Sequence, residues 1–136
     1  MSDNKVSLRW AGEGLRFEGG RPGGSSIELQ SSSDDAPSPM DALLLAVAGC
    51  MGIDVAMILT KGRVPLSALE IDVEGDRAEE APRRFTAIRI TYRLGGVEPE
   101  HRDKAQRAVD LSRDKYCSVL HTLRSDVDLE IRIDYV

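Results

Sequence analysis

The two cysteines, Cys50 and Cys117, carry most of the chemistry available to this sequence. A thiolate is a nucleophile and a reductant, and a pair of thiols can pass through a sulfenic acid to a disulfide. Cys50 stands in Ala48-Gly49-Cys50-Met51-Gly52. Each glycine there costs a helix about 1 kcal/mol relative to alanine. Either another helix packs closely at that point, or a substrate reaches the sulfur. The bland alternative is a buried structural cysteine, the commonest fate of a free thiol. Asp54 follows at i+4 on the same helical face, and a carboxylate disfavours a thiolate, so activation needs a positive partner. Cys117 stands in Lys115-Tyr116-Cys117-Ser118, with His121 at i+4. A Cys–His pair can activate a nucleophile or hold a metal. Structural zinc takes four ligands, however, and the other histidine, His101, falls in a polar helix start, so no metal is expected. His121 reads as a partly exposed helix residue.

The elements that must position these thiols follow from periodicity. Val6, Leu8 and Trp10 alternate with Lys5, Ser7 and Arg9, as in a half-buried strand. Leu15 to Glu18 and Ser26 to Leu29 are two more short strands, and the glycine-rich turns between them favour an antiparallel meander. Ser31 to Ser38 is a polar loop. Ser38-Pro39-Met40-Asp41 then opens a helix, with Ser38 as N-cap, Pro39 at the first position and Asp41 near the positive end of the dipole. The helix is expected to reach about Thr60 and to stop at Gly62. From Ala42 to Ile53 it is apolar all round. A surface helix would show a polar face, and one small sheet covers only one side. A second subunit is the simplest cover for the other.

Two longer strands follow, Leu69-Ile71-Val73 with an acidic outer face and Ile88-Ile90-Tyr92-Leu94 with a basic one. Cross-strand charge pairs would make them neighbours. The charged connection from Gly75 to Arg84 is expected to be mobile. A helix starts near Glu98-Pro99, its buried face formed by Ala105, Ala108, Val109 and Ser112 and continued by Tyr116. A short helix over Ser118 to Leu123 and a strand over Val127 to Tyr135 complete the order β-β-(β)-α-β-β-α-β. This is an α+β fold, with a mostly antiparallel sheet packed on a long apolar central helix.

Composition sets the outer bounds. The 136 residues suit a single domain over 1–136. Eighteen Lys and Arg stand against 23 Asp and Glu, a formal net charge of -5, which argues against a nucleic-acid partner. The polar start carries no secretory h-region. The 12-residue run Ala42 to Ile53 is shorter than a membrane span. Two cysteines make no secreted disulfide framework. A cytoplasmic location with no membrane partner is therefore expected.

The segment Pro39-Met40-Asp41-Ala42-Leu43-Leu44-Leu45-Ala46-Val47-Ala48-Gly49-Cys50 resembles the region around the first cysteine of the OsmC/Ohr family, the osmotically inducible and organic-hydroperoxide-resistance proteins. Tyr116-Cys117-Ser118-Val119-Leu120 and the closing strand resemble that family's second cysteine and C-terminal end, and the element order also matches. The resemblance implies an intertwined homodimer, with two sheets wrapped around central helices of both subunits. It implies a thiol peroxidase acting on organic hydroperoxides without a metal or organic cofactor. Cys50 would attack the peroxide, Cys117 would resolve the sulfenic acid as a disulfide, and an external dithiol would reduce that disulfide. It further implies an arginine beside the reactive thiolate and a carboxylate that holds the arginine. Arg16 is the candidate arginine, with Arg9 and Arg21 as competitors, and Asp41 is the candidate carboxylate.

Asp41 departs from the hydroperoxide-resistance pattern, which has Glu directly after the proline; Met40 stands there, as in the OsmC-like branch. In one unbroken helix the nine residues from Asp41 to Cys50 span about 2.5 turns and put the two on opposite faces. Asp41 then serves Cys50 only if the helix starts later, bends, or meets Cys50 of the other subunit. Its other role is to stabilise the helix dipole. A second function class also fits: a binding protein on the same fold, holding a lipid-like or other small apolar molecule, with cysteines that are structural or redox-sensing. A third is a dimeric structural or interaction protein with no pocket chemistry.

Overall fold

The computed structural model describes residues 2–31 and 34–136. The expected Ser31–Ser38 loop therefore includes two residues, Ser32 and Ser33, that lie outside the described set. The chain forms two compact units, divided between residues 43 and 44.

The first unit is a three-stranded antiparallel meander of β1 (Ser7–Trp10), β2 (Arg16–Gly20) and β3 (Ser26–Gln30). All four β1 residues are exposed, in contrast to the half-buried strand that its alternation predicts. The unit ends at the start of helix α1 (Pro39–Lys61). There Asp41 N–H donates to Ser38 Oγ at 3.1 Å, and Asp41 Oδ2 accepts from Ser38 N–H at 3.0 Å. This is a reciprocal capping box with Asp in the place usually taken by Glu. At the other end of α1, Gly62 N–H bonds the Ile58 carbonyl at 2.9 Å. The left-handed residue that turns the chain is Arg63, not Gly62.

The second unit holds most of α1 and a sheet in the order β4-β5-β6, with β4 at Ala68–Arg77, β5 at Phe85–Gly95 and β6 at Asp128–Tyr135. β4 and β5 pair antiparallel, with Glu70 opposite Arg93 and Glu74 opposite Arg89. Arg93 bonds Glu70 and Asp72, and Arg89 bonds Asp76, so the expected cross-strand charge pairs form. β4 runs further than the sequence indicates, through Gly75 and Asp76. A Cβ at Gly75 would lie 2.5 Å from the Phe85 ring, so glycine is what lets that ring cross the strand. The Gly75–Arg84 connection thus contracts to a hairpin tip, pinned by Ala78 N–H to the Arg84 carbonyl at 2.9 Å. β6 pairs parallel with β5. The crossover that a parallel pair needs is supplied by a 3-10 turn (Pro99–His101), α2 (Arg102–Leu111), a π-turn (Ser112–Tyr116) and α3 (Ser118–Thr122). The molecule is thus α+β, with two three-stranded sheets and a long apolar helix.

The second unit's core is built mainly from one face each of α1, β5 and α2. β5 contributes Ile88, Ile90, Tyr92 and Leu94, and α2 contributes Ala105, Ala108 and Val109. α1 contributes Val47, Met51, Val55 and Leu59, an i, i+4 stripe. Gly52 faces β4, where an added methyl would meet Ile71 Cδ1 at 3.0 Å. Leu45, Ile53 and Met57 stay exposed. By length and composition α1 could cross a membrane, since Asp54 is the only charge between Asp41 and Lys61. The apolar segment is therefore longer than the Ala42–Ile53 run suggests. Within the fold, its Val47–Leu59 stripe serves as core.

Candidate functional site

The second unit brings Cys50 and Cys117 together. Cys50 lies mid-way along α1, half-buried, and Cys117 is fully buried; both thiols are free. Cys117 reaches that position through the π-turn. Its N–H bonds the Ser112 carbonyl at 2.9 Å, five residues back. A regular α-helix would have placed Tyr116 below Ser112, as the sequence pattern suggests. The extra residue puts Cys117 in the buried slot and turns Tyr116 outward, 48% exposed. Such one-turn π-bulges recur at functional sites.

Cys117 Sγ accepts from Leu120 N–H at 3.3 Å, as the N-cap of α3. That bond favours the thiolate, but burial outweighs it, and hydrogen bonding and charge from Cys50, with charge from Asp54, push the same way. The Cys117 thiol is pushed up to about 11. The raised value fixes a sign for stability. Above the pH at which an unfolded thiol ionises, the folded chain still holds a proton that the unfolded chain has lost. Stability from this group is therefore expected to fall as pH rises from about 9 towards 11. Urea unfolding of reduced protein across that window, compared with Cys117→Ser, checks it: the variant is expected to lack that part of the loss.

Asp54 also belongs to this cluster. Its Oδ2 accepts from Ser112 Oγ–H at 2.8 Å, tying α1 to the π-turn. Ser112 is fully buried, so the bond satisfies a hydroxyl that would otherwise be costly to bury. The fourth member is Tyr92 of β5, fully buried, whose hydroxyl feels Cys117, Asp54 and Cys50. Below Asp54, a groove of about 400 Å³ runs between Met57, Ile58 and Lys61 of α1 and Leu111 and Tyr116. His121 does not approach the Cys117 sulfur: its Nδ1 lies 2.8 Å from the Cys117 carbonyl oxygen and its Nε2 3.1 Å from that of Asp114.

The other two expected residues lie in the first unit. Arg16, on β2, pairs with Glu28 at 2.8 Å and more loosely with Glu13 at 3.6 Å. Asp41 is held by the Ser38 cap described above. α1 has no break between Asp41 and Cys50. Of the competitors to Arg16, Arg9 pairs with Glu18. Sequence reasoning passed over Tyr92. The available signal was a lone hydroxyl on a strand face that is otherwise Ile88, Ile90 and Leu94.

The OsmC-like protein family model matches residues 32–132. The chain belongs to the OsmC-like family. The OsmC-like chain is 42% identical over 126 residues to protein YhfA of Escherichia coli strain K12, covering 92% of both. A crystal structure of a hypothetical protein from Aquifex aeolicus VF5 superposes with a TM-score of 0.85 at 31% identity, over 100% of this chain and 98% of that one. An organic hydroperoxide resistance protein from Elizabethkingia anophelis shares the fold, with a TM-score of 0.69 at 11% identity over 99% of each chain. The α+β architecture of this OsmC-like chain is thus common to relatives of very different sequence.

Proposed function

We propose that this protein is a thiol peroxidase that reduces organic hydroperoxides through Cys50 and Cys117. The observation that carries this reading is the pairing of a half-buried thiol with a fully buried one. Cys50 is the thiol that a peroxide reaches. Its thiolate attacks one peroxide oxygen, the O–O bond breaks, and the alcohol leaves after taking a proton, so that Cys50 becomes a sulfenic acid. Cys117 then attacks the Cys50 sulfur, and one water leaves as the disulfide forms. A small external dithiol restores both thiols by exchange. The family resemblance assigns the cation that the thiolate needs to Arg16 and its carboxylate to Asp41; within this chain Arg16 pairs with Glu28 and Glu13, and Asp41 with Ser38. The exposed apolar stripe of α1 is assigned to a second copy of the chain. The organic hydroperoxide resistance protein that shares this fold supports the same reading.

The test is to mix reduced protein with a slight excess of cumene hydroperoxide and count free thiols over seconds, with hydrogen peroxide in parallel. Fast loss of both thiols, selective for the organic peroxide, is expected. Unchanged thiols after minutes would overturn the reading. They would favour instead the binding-protein reading, for which the groove beside Asp54 is the supporting observation.

A further inference from the structure

Tyr92 is out of place in its surroundings. It lies mid-way along β5 on a face otherwise made of Ile88, Ile90 and Leu94, and like them it is fully buried. Its hydroxyl has no hydrogen-bond partner among the described residues. A buried hydroxyl without an acceptor is destabilising, and phenylalanine would fill the same space without that penalty. Asp54 Oδ2 takes the Ser112 hydroxyl and Cys117 Sγ the Leu120 N–H, and neither residue bonds the phenol. The ionisable groups that act on the phenol are Cys117, Asp54 and Cys50. Burial, reinforced by these groups where they are ionised, holds it well above its ordinary range, so it keeps its proton and is able to donate near neutral pH. A donor held among two thiols is matched by the acceptor that thiol oxidation creates.

We propose that Tyr92 is a further catalytic residue, whose hydroxyl donates a hydrogen bond to the oxygen that Cys50 gains from peroxide and holds that bond as the oxygen departs. The inference rests on the peroxidase reading. When Cys117 attacks, the S–S bond forms and the Cys50 S–O bond breaks, and the oxygen leaves as hydroxide that takes up the Cys117 proton to become water. The two electrons of the broken S–O bond go to that oxygen, and the Tyr92 hydrogen bond stabilises the developing charge. Tyr92 ends the step with its own proton, so nothing further is consumed.

The experiment follows a single turnover in two readouts, using the full-length protein and its Tyr92→Phe variant. Peroxide consumption reports the first step, and disulfide mass after rapid alkylation reports the second. In Tyr92→Phe, peroxide consumption is expected to stay within about threefold, while disulfide formation slows by roughly a hundredfold. Dimedone trapping is then expected to find Cys50 sulfenic acid as the main species. Equal disulfide rates in the two proteins would overturn the role of Tyr92 and leave the peroxidase reading intact. Failure of the unaltered protein to consume peroxide would overturn both. 3-Fluorotyrosine at position 92 keeps the ring and strengthens the donor, and it is expected to raise the disulfide rate above that of the unaltered protein. A slowing like that of Tyr92→Phe would instead assign the effect to packing and overturn the proposal. If Tyr92→Phe does not fold, the fluorotyrosine protein decides alone: a raised disulfide rate supports the role, and an unchanged or slower rate overturns it.

Discussion

Replacing Cys50 by serine is expected to lower kcat/KM for cumene hydroperoxide by at least about a thousandfold, to the uncatalysed background. Serine keeps the volume but supplies no thiolate, and the O–O bond is broken here by sulfur. The two cysteines are not interchangeable in this test. Cys117 is fully buried, and with its thiol pushed up to about 11 its ionised fraction near pH 7.5 is on the order of one in a thousand or fewer. Cys117→Ser is therefore expected to keep a first turnover of one peroxide per subunit and then stall as the Cys50 sulfenic acid. A steady-state assay with dithiothreitol, paired with a single-turnover peroxide assay, reads both outcomes. Full activity in Cys50→Ser would move the reaction centre away from α1 altogether.

The difference between the two thiols shows where sequence periodicity is informative and where it is not. Alternation in Leu69-Ile71-Val73 and in Ile88-Ile90-Tyr92-Leu94 marks two strands, and the opposed charges make them neighbours, because side chains on one strand face meet across the pair. Alternation carries no direction, so the parallel pairing of β6 with β5 was hidden in the equally regular pattern from Val127 to Tyr135. Helical spacing located Ala105, Ala108, Val109 and Ser112 on one buried face. It then misplaced Tyr116, because a π-turn inserts one residue and nothing in Ser112-Arg113-Asp114-Lys115-Tyr116 announces it. The meeting of Cys50 with Cys117 was legible only through family resemblance, since no local pattern encodes a contact across two strands and a helix. Asp54 was visible as a neighbour of Cys50, whereas its bond to Ser112 depends on the same π-turn.

The second large effect is expected at Ile53. On α1, Leu45, Gly49, Ile53 and Met57 follow one another at i+4 and together cover roughly 120° of the helix. Leu45 is 61% exposed, Ile53 63% and Met57 52%. The core stripe of Val47, Met51, Val55 and Leu59 lies on the opposite side, so the helix has two apolar faces and this chain covers one. Fully burying a large aliphatic side chain is worth about 1.5–3 kcal/mol, and a second copy would bury the same stripe from both subunits. Ile53→Glu would then place an unpaired carboxylate from each copy in an apolar seam, at a cost of several kcal/mol. The unaltered protein is expected to sediment as a dimer at low micromolar concentration, and Ile53→Glu to weaken that dimer by about a thousandfold or more. An unchanged dissociation constant in the variant would place the interface elsewhere. Cys50 sits about 20° beyond Met57 around the helix, at the margin between the open stripe and the core. A partner on the open stripe would therefore wall the approach to the thiol, and peroxide turnover is expected to fall with the dimer fraction on dilution.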